Sequence, residues 1–247
     1  MAKIKRVHRS GRRIFKAIVF LAICGAIIGV FVYVPFFTLK EVKLIGAERL
    51  TVDDILKVAD IYIGEPIFEL ETDKVKTRLD QDLRIESSKV RRIVPNTLEV
   101  TIKERQAIAT MVCDYGYLDV DKNGKIIDSY KKLREMSIPM ITGSRLQDKY
   151  IGDDVEDELV KKILEFLQKL DAEALEKISE VAIISADYVV AYTATEKTVQ
   201  IRIGKIEERT DEKATLVQDF LHDLENNPHD VEYADFSYTA PFIKLAK

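Results

Sequence analysis

Residues 95–105, Pro-Asn-Thr-Leu-Glu-Val-Thr-Ile-Lys-Glu-Arg, combine a turn signal with a strictly alternating strand. Leu98, Val100 and Ile102 share one face of that strand, and the residues between them are polar. Because Pro95 cannot donate to a strand ladder, the preceding run Ile85–Val94 is a separate strand. The stretch therefore predicts a β-hairpin with one buried face.

Upstream of this hairpin the pattern predicts a strand and two helices. A strand spans Phe37–Ile45, with a bulge near Lys40 where the apolar parity changes, and Gly46 ends it. Thr51 and Asp54 form a capping-box pair at the start of the first helix. Thr72 is expected to cap the second helix, whose apolar residues recur every four positions at Val75, Leu79 and Leu83. The predicted order is strand, helix, helix, strand, strand.

Further towards the N-terminus, residues 17–37 contain no Asp, Glu, Lys, Arg or His. At about 1.5 Å per helical residue, this run spans the roughly 30 Å of a bilayer core, which predicts a transmembrane helix. A cleaved signal peptide, a lipoprotein signal at Cys24 and a buried core helix fit less well, since the run is long and has no polar stripe. No acidic residue precedes the run, and positive charge on this flank predicts a cytoplasmic N-terminus. The seven basic residues are Lys3, Lys5, Arg6, Arg9, Arg12, Arg13 and Lys16.

Charge and cysteine content exclude several classes of protein. Without the basic arm, the chain has 31 Lys and Arg and 42 Asp and Glu, so its net charge is negative. Nucleic acid is therefore not an expected partner. Cys24 lies in the apolar run and Cys113 stands alone after it, so the exterior part has no internal disulfide. The three histidines are scattered, without metal-ligand spacing.

Downstream of Gln106, short strands alternate with two helices. Asp121-Lys122-Asn123-Gly124 is a hairpin signal, residues 138–143 are expected to form an edge segment, and Asn226-Asn227-Pro228 ends the last helix. The predicted strands are Ala107–Val112, Tyr115–Val120, Lys125–Asp128, Val181–Ser185, Tyr188–Thr193, Thr198–Ile203 and Val231–Phe236, the helices are Val155–Leu170 and 210–224, and a last apolar segment spans 241–243.

The strand-helix-helix-strand-strand order after a basic-flanked apolar run resembles the POTRA domain of the FtsQ/DivIB cell-division family. Residues 95–105 match that family's Pro-x-Thr-Leu-x-Val-x-Val-x-Glu-Arg pattern, although Ala107 stands where many members have Pro. Weaker family motifs follow in order: Gly116–Asp119, Asp121, Gly124, Ile138-Pro139, Gly143, Ile203-Gly204, Lys213 and Asp235-x-x-Tyr238. The resemblance implies an α+β chain with a cytoplasmic arm (1–16), a transmembrane helix (17–37), a POTRA domain (38–106) and a β domain with two helices (107–247).

No residue pattern indicates catalysis or a cofactor. Asp119-x-Asp121-x-Asn123-Gly124 begins like a calcium loop, but Tyr130 occupies the twelfth position where such loops need Glu, so a polar hairpin turn is expected. His222 and His229 have no nucleophile elbow to serve. Gly25-x-x-x-Gly29 permits a close helix pair, but glycine is common in membrane helices.

Aromatic residues near the C-terminus favour protein binding, because a terminal strand is often an edge that another chain can extend. Alternation places Tyr233 and Asp235 on one face and Phe236 and Tyr238 on the other. The resemblance implies that this strand recruits FtsB (DivIC) and FtsL at the division septum, with the bulk of the chain outside the inner membrane. An anchored POTRA protein of an envelope-assembly or secretion pathway is the alternative. The predicted partner-binding residues are Tyr233, Asp235, Phe236, Ser237, Tyr238 and Phe242.

Overall fold

The computed structural model describes residues 9–33, 35–134, 137–195, 197–226 and 230–246. Two compact units divide the chain, one over residues 1–104 and one over residues 105–247. Several residues with predicted roles lie outside the described residues: Lys3, Lys5, Arg6, Asn227, Pro228 and His229.

The first helix, α1 (Arg9–Tyr33), includes most of the predicted membrane segment. Its large apolar side chains from Ile14 to Ile23 are exposed. Within the part of the chain that the structure describes, no helix is both long enough and apolar enough to cross a bilayer.

The first unit continues with a small sheet and two helices. Its elements after α1 are a 3-10 turn (Pro35–Phe37), β1 (Glu41–Ile45), α2 (Val52–Ala59), α3 (Thr72–Gln81), β2 (Ile85–Ile93) and β3 (Thr97–Glu104). Strand β3 lies between the other two, antiparallel to β2 and parallel to β1, with Glu41 opposite Thr97. The predicted element order and hairpin are confirmed.

The core of this unit forms where the alternation places it. Leu98, Val100 and Ile102 are buried, and Ile55 and Leu79 bring the two helices onto the same core. Burial of such side chains contributes roughly 1.5–3 kcal/mol each.

Of three local predictions for this unit, one is confirmed, one is wrong and one holds in part. The Thr51 and Asp54 capping box is present. Thr72, however, is the first helical residue, and the N-cap is Glu71, which makes no capping hydrogen bond through its side chain. Strand β1 begins at Glu41 rather than Phe37, because Pro35–Phe37 form the 3-10 turn and Thr38 makes an isolated bridge to Pro66.

Glu104, the last residue of β3, secures the loop between β1 and α2. Its Oε1 accepts hydrogen bonds from the backbone N–H groups of Glu48, Arg49 and Leu50, at 2.9, 2.9 and 2.8 Å. Partial burial raises the pKa of Glu104, but the three donors outweigh it and leave the pKa below its ordinary value of 4.5.

The second unit is a nine-stranded mixed sheet with helices. It contains β4 (Ala107–Cys113), β5 (Gly116–Asp121), β6 (Ile126–Tyr130), β7 (Met140–Leu146), α4 (Glu158–Leu167), α5 (Ala172–Glu176), β8 (Ile178–Ser185), β9 (Tyr188–Thr193), β10 (Gln200–Gly204), α6 (Thr210–Asn226), β11 (Val231–Asp235) and β12 (Phe242–Leu245). The strand order is β12-β11-β10-β9-β8-β7-β4-β5-β6. The hairpin at Asp121–Gly124 and the β8-β9-β10 meander are confirmed.

The prediction of an edge segment at residues 138–143 is wrong. Strand β7 lies inside the sheet, parallel to both β4 and β8. The chain between β7 and β8 forms α4 and α5, which is the helical crossover that a parallel pair requires. The described residues of this unit also contain three helices rather than two, since the single-turn helix α5 is too short to show a periodic pattern.

We expect Glu104→Ala to lower the free energy of unfolding of the first unit by about 1–3 kcal/mol, because three N–H donors lose their charged acceptor. Urea unfolding of the full chain in mild detergent measures this loss. Glu99→Gln is the matched control on the same strand, since Glu99 makes only long ion pairs to Lys43 and Arg91, at 3.7 and 3.9 Å.

The Glu104 contribution should also depend on pH. A pKa that is lower in the folded state gives stabilisation that is complete above the unfolded value and is lost as the pH falls through the folded value. The stability difference between the wild type and Glu104→Gln should therefore shrink as the pH drops below 4.5. A difference that is constant from pH 7 to pH 3 would contradict this role.

Candidate functional site

The predicted partner-binding residues lie at one end of the nine-stranded sheet. Strand β11 is parallel to β10, to which α6 connects it, and β12 returns antiparallel to β11. β12 is the terminal strand of the sheet order, so the edge nearest the C-terminus is Phe242–Leu245 rather than Val231–Phe236. The sequence marked this region as apolar but did not show that it pairs back on β11.

Tyr233 and Asp235 share one face of β11, as alternation predicted, and Arg202 of β10 contacts both. The Arg202 guanidinium carbon lies 3.8 Å from the Tyr233 ring centroid, and its Nη1 lies 3.9 Å from Asp235 Oδ2. The Phe242 ring, from β12, lies 6.0 Å from that of Tyr233. Side chains from three strands therefore pack together on this face.

The turn after β11 is organised by Asp235. Its Oδ1 accepts hydrogen bonds from both the backbone N–H (3.0 Å) and the hydroxyl of Ser237. Phe236 points to the other face, where it is 2% exposed and packs on Phe220 of α6 at 5.8 Å between ring centroids. Phe236 is thus part of the core, while Asp235 is a buried carboxylate that holds the turn through Ser237.

Two residues behind this turn belong to the family motifs found in the sequence. Gly204 has a φ of +69°, and a Cβ on it would lie 2.6 Å from Ser237 Cβ. Lys213 of α6 is buried, and its Nζ donates a 2.7 Å hydrogen bond to the Lys205 carbonyl. Burial lowers the pKa of the Lys213 ammonium. Both residues position the loop after β10 against the Asp235 turn.

Beyond the turn, apolar side chains face outward. Tyr238 is 67% exposed and Phe242 is 54% exposed. Ile243 and Leu245, which sequence reasoning did not single out, are also exposed. The structure therefore separates the six predicted residues into a buried pair (Asp235, Phe236), a half-buried pair (Tyr233, Ser237) and an exposed pair (Tyr238, Phe242). A role in partner binding stays a prediction for all six.

Asp119 and Asp121, the two aspartates of the calcium-loop-like stretch, accept hydrogen bonds from donors within the protein. Asp119 Oδ1 accepts hydrogen bonds from Thr110 and from Tyr130, the residue in the twelfth position, at 2.9 and 2.8 Å. Burial raises the pKa of Tyr130 to about 12. Asp121 pairs with Arg105 and accepts the N–H groups of Asn123 (2.9 Å) and Lys125 (2.7 Å). This pattern is that of a tight hairpin turn.

His222 does not stand next to a nucleophile in the contacts that the structure gives it. Its Nε2 lies 3.2 Å from Asp171 Oδ2, at the surface between α6 and the start of α5. The pair therefore links α6 to the N-cap of α5.

We expect Gly204→Ala to lower the free energy of unfolding of the second unit by about 1–3 kcal/mol, because of backbone strain and overlap with Ser237. Gly124→Ala is the matched control in the same unit: its φ is +85°, but its Cβ would meet Val155 Cβ at an ordinary 3.6 Å. Hydrogen exchange of residues 235–246 should rise in Gly204→Ala alone. Equal effects in the two variants would contradict the contact between Gly204 and Ser237.

Comparisons with known proteins match both units. A model of the POTRA domain, FtsQ-type, matches residues 37–105, and a model of the C-terminal part of cell division protein FtsQ/DivIB matches residues 110–237. The second match alone spans just over half of the chain. Both matches name the cell-division type, and neither favours the envelope-assembly alternative.

Individual relatives carry the same names. Cell division protein DivIB of Clostridium acetobutylicum is 29% identical over 121 residues, which are 49% of this chain and 49% of that protein. Cell division protein FtsQ of Syntrophotalea carbinolica is 25% identical over 211 residues, 84% of this chain and 73% of the relative. The chain thus aligns with about half of the first relative and nearly three quarters of the second.

Among solved structures, the major extracytoplasmic domain of the trans isomer of DivIB from Geobacillus stearothermophilus shows a weaker likeness. It is 18% identical with a TM-score of 0.35, and it covers 51% of this chain and 98% of that domain. The family matches are the stronger result. With both of its units matched in order, the chain belongs to the FtsQ/DivIB family of cell division proteins.

Proposed function

We propose that this protein is a membrane-anchored scaffold of the division machinery that holds partner proteins by binding alone. Family membership supports a role in division, and the exposed C-terminal edge supports binding. The partners that the family resemblance implies are FtsB (DivIC) and FtsL. We expect no catalytic activity and no cofactor requirement.

The observation that carries the partner-binding proposal is the free side of β12. Among the described strands, β12 has β11 as its one neighbour, so its other side can accept a further strand. The exposed Tyr238, Phe242, Ile243 and Leu245 provide apolar area beside those backbone groups. A strand from a partner would therefore gain both ladder hydrogen bonds and apolar contact.

Residues 17–37 are proposed to anchor the chain in the inner membrane in a single pass, with the N-terminus in the cytoplasm. Support comes from the uncharged run, from the seven preceding basic residues and from the exposed apolar side chains of α1. The residues after Phe37 then lie outside the cytoplasm, at the septum. The domain boundaries at residues 38–106 and 107–247 are proposed on the family pattern.

We expect Leu245→Glu to weaken capture of the FtsB and FtsL pair at least about tenfold, equivalent to roughly 1.4 kcal/mol, because a charge would enter the proposed apolar contact. Leu133→Glu is the matched control: Leu133 is also exposed, but it follows β6, which is the opposite end of the strand order. Co-purification with the full chain measures capture. Deletion of Tyr238–Lys247 should abolish it, and undiminished capture by that deletion would refute the proposal.

Localisation provides a second test. A fluorescent fusion of the full chain should form a band at midcell in dividing cells, because recruitment to the septum requires the anchored exterior units. A matched fusion without residues 1–37 should lose the band. Uniform fluorescence around the envelope with the full chain would argue against a divisome role.

A further inference from the structure

Exposed apolar side chains gather at one end of the first unit. After α1, eight large hydrophobic residues are exposed among the described residues of this unit. Two of them, Ile45 and Val52, lie near the loop that Glu104 holds, away from the other six. The other six are here named the apolar rim: Phe36, Tyr62, Ile63, Phe68, Ile93 and Val94.

Backbone hydrogen bonds tie the apolar rim to residues 37–40. Phe37 and Leu39 bond with residues 64–67: Ile67 N–H donates to Phe37 O at 2.9 Å, Leu39 N–H to Glu65 O at 2.8 Å, and Gly64 N–H to Leu39 O at 2.7 Å. Lys40 N–H donates to Asn96 O at 2.8 Å, which holds the β2-β3 turn at the same end. The loop that carries Tyr62, Ile63 and Phe68 is thus fixed beside the point where the uncharged run ends.

The chemistry of the apolar rim is that of a membrane interface. The ring centroids of Phe36 and Phe37 are 5.2 Å apart, and those of Phe37 and Phe68 are 5.5 Å apart, so the rings form a continuous cluster. Tyr62 presents an exposed ring whose hydroxyl donates to Asp60 at 3.1 Å. Aromatic residues with a polar tip are enriched at the headgroup level of membrane proteins.

We propose that the apolar rim is a second membrane contact, lying in the headgroup region of the same bilayer that residues 17–37 are proposed to cross. The inference rests on the proposed anchoring. Residues 37–40 span at most about 10–14 Å, so the segments bonded to them cannot lie far from the bilayer surface. An interfacial apolar face enters the headgroup boundary by about 5–10 Å.

The same geometry excludes the other end of the unit from this contact. Strand β3 runs from Thr97, beside the rim, to Glu104, a distance of roughly 23 Å at strand geometry. Charges near the rim are mixed, with Lys40 and Arg91 against Glu65 and Glu69. Zwitterionic lipid should therefore be sufficient, without a requirement for anionic headgroups.

Tryptophan fluorescence tests the proposal directly, because the chain contains no Trp and each introduced Trp is a unique reporter. Ile63→Trp and Val94→Trp report on the apolar rim, Val52→Trp is the control at the other end, and Phe20→Trp reports on the anchor. The full chain is reconstituted in phosphatidylcholine vesicles with lipids brominated either near the glycerol or deep in the acyl chain. We expect shallow bromines to quench both rim reporters about twofold, with blue-shifted emission, and to leave Val52→Trp unchanged.

Each alternative result has a definite meaning. Quenching of Phe20→Trp by deep bromines without quenching of the rim reporters would overturn the rim contact and leave the anchor standing. Failure to quench Phe20→Trp would overturn the anchor and the rim contact together. Blue-shifted but unquenched rim reporters would place the rim against protein rather than lipid. Equal quenching of Val52→Trp would show that the contact is not confined to the rim. Both of these last results also contradict the proposal.

Discussion

Two adjacent residues of opposite charge, Glu104 and Arg105, supply the hydrogen bonds on which the local structure of both units depends. Glu104 accepts three backbone N–H groups of the loop before α2, which holds that loop against the end of β3. Arg105 pairs with the buried Asp121, whose carboxylate also accepts the N–H groups in the β5-β6 turn. Backbone donors that leave a strand or helix need acceptors, and in each unit a carboxylate provides them.

The same use of carboxylates explains the C-terminal site. Asp235 folds the turn after β11 onto Ser237, Gly204 allows that turn to approach β10, and the Lys213 ammonium holds the loop behind it through the Lys205 carbonyl. Phe236 is buried in the core, and the chain after it reaches the surface at Tyr238. It then turns and pairs with β11 as the antiparallel strand β12. The result is a supported strand, β12, with one side unpaired among the described strands, which is the geometry that strand addition needs.

In the second unit, the charged residues singled out from the sequence take part in structural contacts. Asp119, Asp121 and His222 each have protein partners within hydrogen-bond or ion-pair distance. Exposed apolar side chains are present on β12 and on the apolar rim of the first unit. A scaffold that works through contacts with protein and lipid would use surfaces of this kind.

The sequence by itself determined the features that depend on neighbouring residues. Alternation from Leu98 to Lys103 identified a half-buried strand, Thr51 and Asp54 identified a helix start, and Asn123-Gly124 identified a hairpin. Only the tertiary structure decided that β7 is interior, that β12 rather than β11 is the edge, and that Phe236 is buried while Tyr238 is exposed. Those outcomes depend on pairing between segments far apart in the chain, and local periodicity specifies which face of a strand is apolar but not which strand lies beside it.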